Sequence, residues 1–517
     1  MTLLIASVSA GTGDELRTRV GQAFSAGADV AELRLDAIES LDDDLVQWAA
    51  GLPAGKWIAT CRPASEGGAS THSARQRALM LVAIAEGAQG LIDFEFAHWR
   101  RSARTRARLA DAVGTKPGAP TDSRLILSHH DFTGRPDDPR GILRMIAAEE
   151  GVIPKLAWMP ESICDNFEAL DLVRSSPGPV IVICMGEAGL PSRVLAPKVG
   201  AFATYCAPSE DITTAPGQAT LAQMTDLYRW RRIGTDTRLF GVIGWPVAHS
   251  MSPLLHNAAF DRAGVDGVYL PLPIEPRDRV LEDFLDGCLA NDWLDAAGFS
   301  VTVPHKSRVV AYLGDRVDEL AGRIGAVNTL VVSDGGYRGY NTDYCGALDA
   351  LTAGLGCERN DLRGTAIDLL GAGGAARAVV AGLREYGCDV TLSNIIPQDA
   401  ATLAEEFGCN VRAWGERDHG TGSILVNCTS VGMRPVPDET PFPADALGRY
   451  EAVFDVVYNP MRTRLLGDAA RAGCRVISGV EMFVNQAAEQ FRLWTGREPD
   501  KGLMRDLVVR GLRKAGE

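Results

Sequence analysis

The chain has 517 residues, more than one ordinary core can organise, so two or three domains are expected. With 46% apolar and 23% charged residues and a net charge of −14, it reads as a soluble globular protein. That balance argues against a general nucleic-acid binder. No uninterrupted apolar stretch is long enough to span a bilayer.

The eleven cysteines are scattered, with no Cys-x-x-Cys spacing. They predict free thiols in a reducing cytoplasm and give no zinc signature. The opening MTLLIASVSAG is apolar but short and lacks a basic leader, so a strand rather than a signal peptide is expected there.

Short β-type runs follow at intervals of roughly 20 to 35 residues: Leu3–Val8, Val30–Leu35, Trp57–Cys61, Leu91–Glu95, Arg124–Ser128, Val152–Trp158, Val180–Cys184 and Ala201–Tyr205. Segments with helical apolar spacing, such as Glu15–Ala26 and Ala74–Ala85, lie between most of them. Strand–helix alternation predicts a parallel sheet with right-handed crossovers. Eight repeats in about 230 residues match a (β/α)8 TIM barrel. A doubly wound open sheet is the competing reading.

A barrel places functional residues at the carboxyl ends of its strands. The unusual polar residues fall there. Glu32 and Arg34 share one face of VAELRLD by their i, i+2 spacing, Arg62 and Glu66 follow IATC, and Asp93 and Glu95 alternate in LIDFEF. His130 follows LILSH, Arg193 lies in MGEAGLPSR, and TTAPGQ follows the last run. Arginines gathered at one mouth suit a small carboxylated, hydroxylated molecule. Any one of them alone reads better as a surface ion pair.

Lys155 sits inside the apolar run Val152–Trp158. Burial favours the neutral amine, a nucleophile able to form a Schiff base with a ketone, and a nearby histidine could move protons. The bland alternative is a lysine that snorkels to water beside a loop histidine.

Taken together, ELRLD, CRPASEGG, SHHDF, PKLAWMP, GLPSR and TAPGQ resemble the type I 3-dehydroquinate dehydratases, in order, over essentially the whole first half. The resemblance implies that Lys155 forms an imine with the ketone of 3-dehydroquinate and that His130 removes the acidified proton. An unperturbed lysine has a pKa of about 10.4, so the site must favour the neutral amine. By family position, Arg193 holds the substrate carboxylate. Glu32, Arg34, Arg62 and Gln218 bind hydroxyls or close a lid, and Glu66 sits near His130. Thr214 stands where a serine is usual and keeps the hydroxyl.

From Met224 to Thr237 the chain turns polar and basic, and the module boundary is expected there. LFGVIGWPVAHSMSP then carries Ser250 and Ser252, with Pro253 opening a helix. Taken singly, those serines are helix caps. GFSVTVPHK carries Thr302 and leaves Lys306 on a loop, and GAVNT and GYNTDYCG supply Asn328 and Asp343. Lys306 alone reads as a solvated loop lysine. In LRGTAIDLLGAGGAA a strand runs into a glycine-rich turn and a helix. Gly371, Gly373 and Gly374 allow close backbone approach, so that the helix N-terminus can take a pyrophosphate.

GWPVAHSMSP, FSVTVPHK, GAVNT, NTD, GAGGAA, NCTSVGM, VVYNPMRT and GVEMFVNQA are similar to the shikimate dehydrogenases, in order, over about residues 238–500. The resemblance implies hydride transfer between a nicotinamide and the keto group of 3-dehydroshikimate. Lys306 and Asp343 would be the polar pair at the reacting oxygen. Ser250 and Ser252 would meet the substrate carboxylate, and Thr302, Asn328, Tyr458 and Gln486 the rest of the ring. Gly371, Ala372, Gly373, Gly374, Ala375, Asn394, Thr429 and Gly479 would face the cofactor.

Two departures stand out. NADP-using relatives carry Asn-Arg-Thr after the second nucleotide strand, where this chain has Asn394-Ile395-Ile396, without an acidic residue to select NAD. NADP is the family expectation, NAD is the alternative, and Arg377 is a candidate substitute for the missing arginine. Ser300 stands where many single-domain relatives have asparagine, as in the fused plant-type enzymes.

The expected architecture is therefore α/β. A TIM barrel over residues 1–230 precedes a two-lobed dehydrogenase, with a shikimate-binding lobe at 236–345 and a Rossmann lobe at 346–480. A C-terminal helix at 481–517 returns to the substrate lobe. The expected activity is a bifunctional one that dehydrates 3-dehydroquinate through a lysine Schiff base and reduces 3-dehydroshikimate to shikimate, in the cytoplasm. No metal, nucleic acid or membrane is implied, and the sequence does not set an oligomeric state. The nearest alternative joins the dehydratase to an NAD-dependent quinate/shikimate dehydrogenase. A non-catalytic scaffold would have lost the catalytic groups, yet His130, Lys155, Lys306 and Asp343 are all present.

Overall fold

The computed structural model describes residues 1–39, 41–86, 88–114, 124–215 and 217–514. They divide into two compact units: Met1–Arg238 with Asp266–Asp295, and Leu239–Val265 with Ala296 onward.

The first unit is built on β1 (Leu3–Ser9), β2 (Val30–Arg34), β3 (Trp57–Thr60), β4 (Leu91–Glu95), β5 (Leu125–Asp131), β6 (Val152–Trp158), β7 (Ile181–Cys184) and β8 (Ala203–Cys206). All neighbouring pairs are parallel, and β1 pairs with both β2 and β8. At the seam between β7 and β8 the Phe202 amide donates to the Val180 carbonyl at 2.9 Å, so the eight strands form a near-closed barrel. Intervening helices start where short polar side chains satisfy free amides. Thr12 accepts from Glu15, Ser73 and Gln76 form a capping box, and Asp138 precedes Pro139 at the first helical position.

Alternation along the strands layers the barrel interior. Ile5, Val30, Ile58, Leu91, Ile126, Ile153, Ile181 and Ala203 form an apolar floor. Two residues further along stand Ser7, Glu32, Thr60, Asp93, Ser128, Lys155, Ile183 and Tyr205, mostly polar and buried. One difference from the expected strands matters. β5 runs to Asp131, because its register with β6 continues through His130↔Ala157 and Asp131↔Trp158. His130 is therefore a strand residue on the face of Ser128, and not a loop residue.

Residues Asp266–Asp295 contain β10 (Gly267–Pro273) and the helix Val280–Ala290, which packs on the barrel's helix Asp165–Arg174. Phe284 stacks on Phe167 with centroids 5.7 Å apart. The buried Lys198 ammonium donates to the carbonyls of Thr235 and Thr237 and pairs with Asp295 at 2.7 Å. The expected lobe at 236–345 is thus split between the two units.

In the second unit β9 (Arg238–Gly244) runs parallel to β11 (Ala296–Val301). Two antiparallel steps lead on to β12 (Thr329–Ser333) and β13 (Gly336–Tyr340). A six-stranded parallel sheet follows, of β14 (Ala366–Leu370), β15 (Asp389–Ser393), β16 (Asn410–Val411), β17 (Ile424–Asn427), β18 (Ala452–Asp455) and β19 (Arg475–Ser478). Its order, β16-β15-β14-β17-β18-β19, is the doubly wound order 3-2-1-4-5-6, whose reversal lies between β14 and β17.

The expected single helix at 481–517 is corrected to two, Gly479–Thr495 and Lys501–Lys514. Gly496 takes the left-handed φ of +66° and Pro499 follows, so the helix stops. The first of the two returns to the three-strand edge: Trp494 donates to the Leu330 carbonyl and Gln490 to Thr329. Residues 515–517 lie outside the described residues. No helix of the described residues is long and apolar enough to cross a membrane.

Truncating the barrel floor tests this layering. Ile126 is fully buried, and Ile126→Ala is expected to cost about 2–5 kcal/mol in chemical denaturation. A loss below about 1 kcal/mol would contradict the packing described.

Candidate active sites

The barrel mouth encloses a cavity of about 490 Å³ whose lining includes Glu32, Arg34, Arg62, Glu66, His130, Lys155, Arg193, Thr214 and Gln218. All nine residues singled out in the first half converge there. The segment TTAPGQ supplies the last two, and its Pro216 lies outside the described residues.

Behind this lining, on β4, is a carboxylate for which no role was expected. Asp93 Oδ2 accepts from Lys155 Nζ at 2.9 Å, while Oδ1 meets Arg62 Nη2 at 2.8 Å and the Ser128 hydroxyl at 2.6 Å. Lys155 is 4% exposed, and its ammonium lies 3.9 Å from the Tyr205 ring centroid. Burial lowers the Lys155 pKa, Asp93 and Glu32 oppose that, and Arg62 adds to it; the net shift is downward. Burial also disfavours the Asp93 carboxylate, but Arg62, Lys155 and His130 outweigh it and hold Asp93 well below the usual range. The alternation of Asp93 and Glu95 in LIDFEF was the available signal for this group.

His130 and Glu66 form a dyad. Glu66 Oε2 lies 3.1 Å from His130 Nδ1 and also accepts from the His130 backbone amide at 3.2 Å. Burial, helped by Arg62 and Lys155, drives the imidazole well below its ordinary pKa. Burial, with Glu95 and Asp93 as like charges, pushes the Glu66 carboxyl up to about 7 against the pull of Arg62. Arg34 is held by both oxygens of Asp36, at 2.9 and 2.8 Å. Glu32 accepts from the Ser7 hydroxyl and, at 2.9 Å, from Thr60. Gln218 Oε1 accepts from the amide and hydroxyl of Thr214.

Arg193 differs from these. It is buried, its Nη1 reaches only the Tyr205 carbonyl at 3.5 Å, and its Nε has no partner among the described residues. Burial lowers its pKa to about 10. A guanidinium left in this state fits an incoming carboxylate.

The second unit carries a cavity of about 850 Å³ lined by Ser250, Ser252, Thr302, Lys306, Asn328, Asp343, Ala375, Tyr458, Gly479 and Gln486. Phe483 and Gln490, which sequence reasoning passed over, also line it. They sit on the apolar helix Gly479–Thr495, where nothing in the sequence separates lining from core.

Lys306 opens the helix Lys306–Leu313 and Asp343 the helix Asp343–Leu355. Their side chains meet at 2.6 Å. Asn328 donates to the other Asp343 oxygen at 2.8 Å, and its own oxygen accepts from the Thr342 amide. The Ser250 hydroxyl accepts from the Ser252 amide at 3.2 Å, although the N-cap position itself is Met251, and both serines face the cavity. Ser300 donates to Gln490 Oε1 at 2.8 Å, which gives the departure at that position a partner. Tyr458 stacks on Phe483 with centroids 4.6 Å apart.

The glycine-rich turn lies at the sheet's reversal. Gly371 has φ +106°, and a Cβ there would meet the Cys428 carbonyl and the Thr429 amide at 3.1–3.2 Å. A Cβ on Gly373 or Gly374 would meet nothing within 4 Å, so open space faces the first amides of the helix Gly374–Glu385. Gly371, Ala372, Gly373, Gly374 and the loop of Thr429 thus form a cradle that fits a dinucleotide pyrophosphate.

Asn394 follows β15, and its amide donates to the Ile396 carbonyl at 3.1 Å. Ile395 and Ile396 are 71% and 55% exposed. The expectation that Arg377 replaces a missing arginine there is corrected. Its Nε donates to the Ile324 carbonyl at 2.8 Å and its Nη2 to Glu406 at 2.6 Å.

Both units are similar to known proteins. The family description "Type I 3-dehydroquinase" matches residues 4–235. The "Shikimate dehydrogenase substrate binding domain" matches 242–330, and the "Shikimate 5'-dehydrogenase C-terminal domain" matches 479–509. A bifunctional 3-dehydroquinate dehydratase/shikimate dehydrogenase of Arabidopsis thaliana, described as chloroplastic, is 36% identical over 97% of this chain and 83% of its own length. A shikimate dehydrogenase (NADP(+)) of Thermococcus kodakarensis is 41% identical over 54% of this chain and 98% of its own. A solved shikimate 5-dehydrogenase of Thermus thermophilus, in complex with NADP(H) and shikimate, is 39% identical. It covers 53% of this chain and 99% of its own, with a TM-score of 0.48.

The dyad sets a pH-dependent tautomer. Above about pH 7 the Glu66 carboxylate accepts a proton-bearing Nδ1 and leaves Nε2 of the neutral ring basic. Below it the carboxylic acid donates to Nδ1 and the ring proton moves to Nε2. Nitrogen-15 shifts of His130 are expected to change tautomer near pH 7, and Glu66→Gln to abolish that step. A single tautomer across pH 6–8 in the parent would count against the coupling.

Proposed function

The chain belongs to the bifunctional 3-dehydroquinate dehydratase/shikimate dehydrogenases, and from that premise we propose that Lys155 and His130 carry the dehydration and Lys306 and Asp343 the reduction. It converts 3-dehydroquinate to 3-dehydroshikimate in the barrel and reduces 3-dehydroshikimate to shikimate in the second unit, with a nicotinamide cofactor. The observation that supports the first assignment best is a buried amine and a buried imidazole–carboxylate dyad in one cavity.

In this reading the neutral Lys155 amine adds to the substrate ketone, water leaves, and the imine takes up one solvent proton, returned on hydrolysis, to become an iminium. The iminium acidifies the neighbouring C–H, and His130 Nε2 takes that proton. The electron pair released forms the ring double bond as the β-hydroxyl departs, protonated by His130 to water. Hydrolysis of the iminium frees the product and returns Lys155. Arg193 holds the carboxylate, and Arg34, Arg62, Glu32 and Gln218 hold the hydroxyls. Asp93 keeps the amine in place before substrate arrives.

When bound, the nicotinamide supplies the hydride for the second reaction. The chain's own part is electrostatic. Lys306 stabilises the alkoxide that develops and gives it a proton, Asp343 orients Lys306 and the oxygen, and Asn328 fixes Asp343. Ser250 and Ser252 meet the carboxylate, and Thr302, Tyr458 and Gln486 the remainder of the ring. The cavity thus lies beside the cradle of Gly371, Gly373 and Gly374, joined to it by Ala375.

The cofactor is read here as NADP or NAD with weak discrimination. Ile395 offers the 2′ position neither a cation nor a carboxylate, and Arg377 is already engaged. The eleven cysteines are free thiols, which supports a reducing compartment.

Lys155→Ala is expected to lower dehydration by at least about 10³-fold and leave reduction intact, and borohydride with 3-dehydroquinate to label Lys155 covalently. Labelling elsewhere would refute the imine assignment. Lys306→Met should lower the reduction kcat by about 10²–10⁴-fold while sparing dehydration. With NADP and NAD side by side, kcat/KM is expected to differ by no more than about tenfold, and Arg377→Ala to leave the ratio unchanged.

A further inference from the structure

We infer that Asp455 is a positioning residue of the second cavity, holding the Thr429 loop on the nucleotide side through Asn427 and the Tyr458 loop on the substrate side by accepting from the Val457 amide. The inference rests on the reading of that cavity as a nicotinamide-dependent dehydrogenase site. Asp455 ends β18, is fully buried, and does not itself line the cavity.

Its two oxygens take three donors from three segments. Oδ1 accepts from the Asn427 side-chain amide at 2.9 Å and from the Val457 backbone amide at 3.1 Å. Oδ2 accepts from the Thr463 hydroxyl at 2.6 Å. Asn427 ends the neighbouring strand β17, and its oxygen accepts in turn from the Thr429 amide at 3.0 Å and the Thr429 hydroxyl at 2.7 Å. The Thr429 hydroxyl then accepts from the Val431 amide. The relay therefore runs from Asp455 to the loop that closes over Gly371.

On its other side Val457 lies between Val456 and Tyr458, both in the cavity wall. The Val456 carbonyl would be 2.4 Å from a Cβ on Gly479, so this loop and the start of the last wall helix are in close contact. Thr463 closes the same loop and caps the helix Arg464–Arg471. Among the described residues no ion pair to Asp455 is found. Burial raises its pKa to about 6, and the three donors oppose that. An ionised acceptor of three donors holds them more firmly than a neutral one, and removing it leaves buried donors unsatisfied.

The test uses the full-length enzyme. Asp455→Ala is expected to raise the KM for the nicotinamide nucleotide on the order of tenfold or more, with dehydration unchanged. It should also speed amide hydrogen exchange at Thr429, Val431 and Val457. Asp455→Asn keeps the oxygen that faces Asn427 and Val457, and should hold that KM within about threefold of the parent. If the alanine variant does not fold, Asn427→Ala breaks the next link and carries the same expectation for Thr429 and Val431. An unchanged nucleotide KM and unchanged exchange in Asp455→Ala, or in Asn427→Ala, overturns the inference. So does an asparagine variant as impaired as the alanine one. A parent that transfers no hydride would instead overturn the dehydrogenase reading, since the exchange measurement reads the relay without it.

Discussion

A buried charge balance at the barrel centre is the constraint on which the rest of the first unit depends. Four acidic side chains, Glu32, Glu66, Asp93 and Glu95, share that interior with Arg34, Arg62, Lys155 and Arg193. Desolvating this many ions is costly unless each finds partners. Asp93 meets that demand for two cations at once, taking Lys155 and Arg62, together with the Ser128 hydroxyl, on two oxygens. The apolar floor beneath excludes water from one side, which is why burial ranks first among the causes of the shifts at Lys155, His130 and Glu66. The exception is Arg193, buried with little to bond, and it is the group best suited to an anion brought from outside.

The second unit solves a different problem. Its reacting pair, Lys306 and Asp343, lies at the starts of two helices in a larger cleft and keeps partial contact with solvent. Precision there comes from hydrogen-bonded supports. Asn328 fixes Asp343, Gln490 ties Ser300 to Thr329, and Asp455 holds two loops. A barrel that needs a perturbed amine uses low dielectric. A cleft that must admit a large dinucleotide stays open and relies on oriented polar groups.

The proposed sites were legible in the sequence to an unequal degree. Period-2 strands separated by helical spacing, with odd polar residues at strand ends, pointed to the barrel and to nearly all of its lining. Asp93 was visible as an oddity in LIDFEF, but its partners come from the loop after β3 and from β5 and β6, and no local pattern reveals such contacts. The apolar run stops at Ser128 and leaves His130 just beyond the expected strand, whereas the backbone ladder continues to Asp131. Arg377 was a plausible phosphate partner by distance along the chain. Its position in the helix instead turns it toward Ile324 and Glu406.

The succession of elements and the glycine-rich turn follow from local periodicity and spacing along the chain, and the residues for hydride transfer follow from its resemblance to the shikimate dehydrogenases. Tertiary structure alone decided which ions share a partner, which lysine is dry, where the last helix breaks its path, and that Asp266–Asp295 packs with the barrel. Those outcomes depend on desolvation and on contacts between residues far apart in the chain, and neither is encoded in any short stretch.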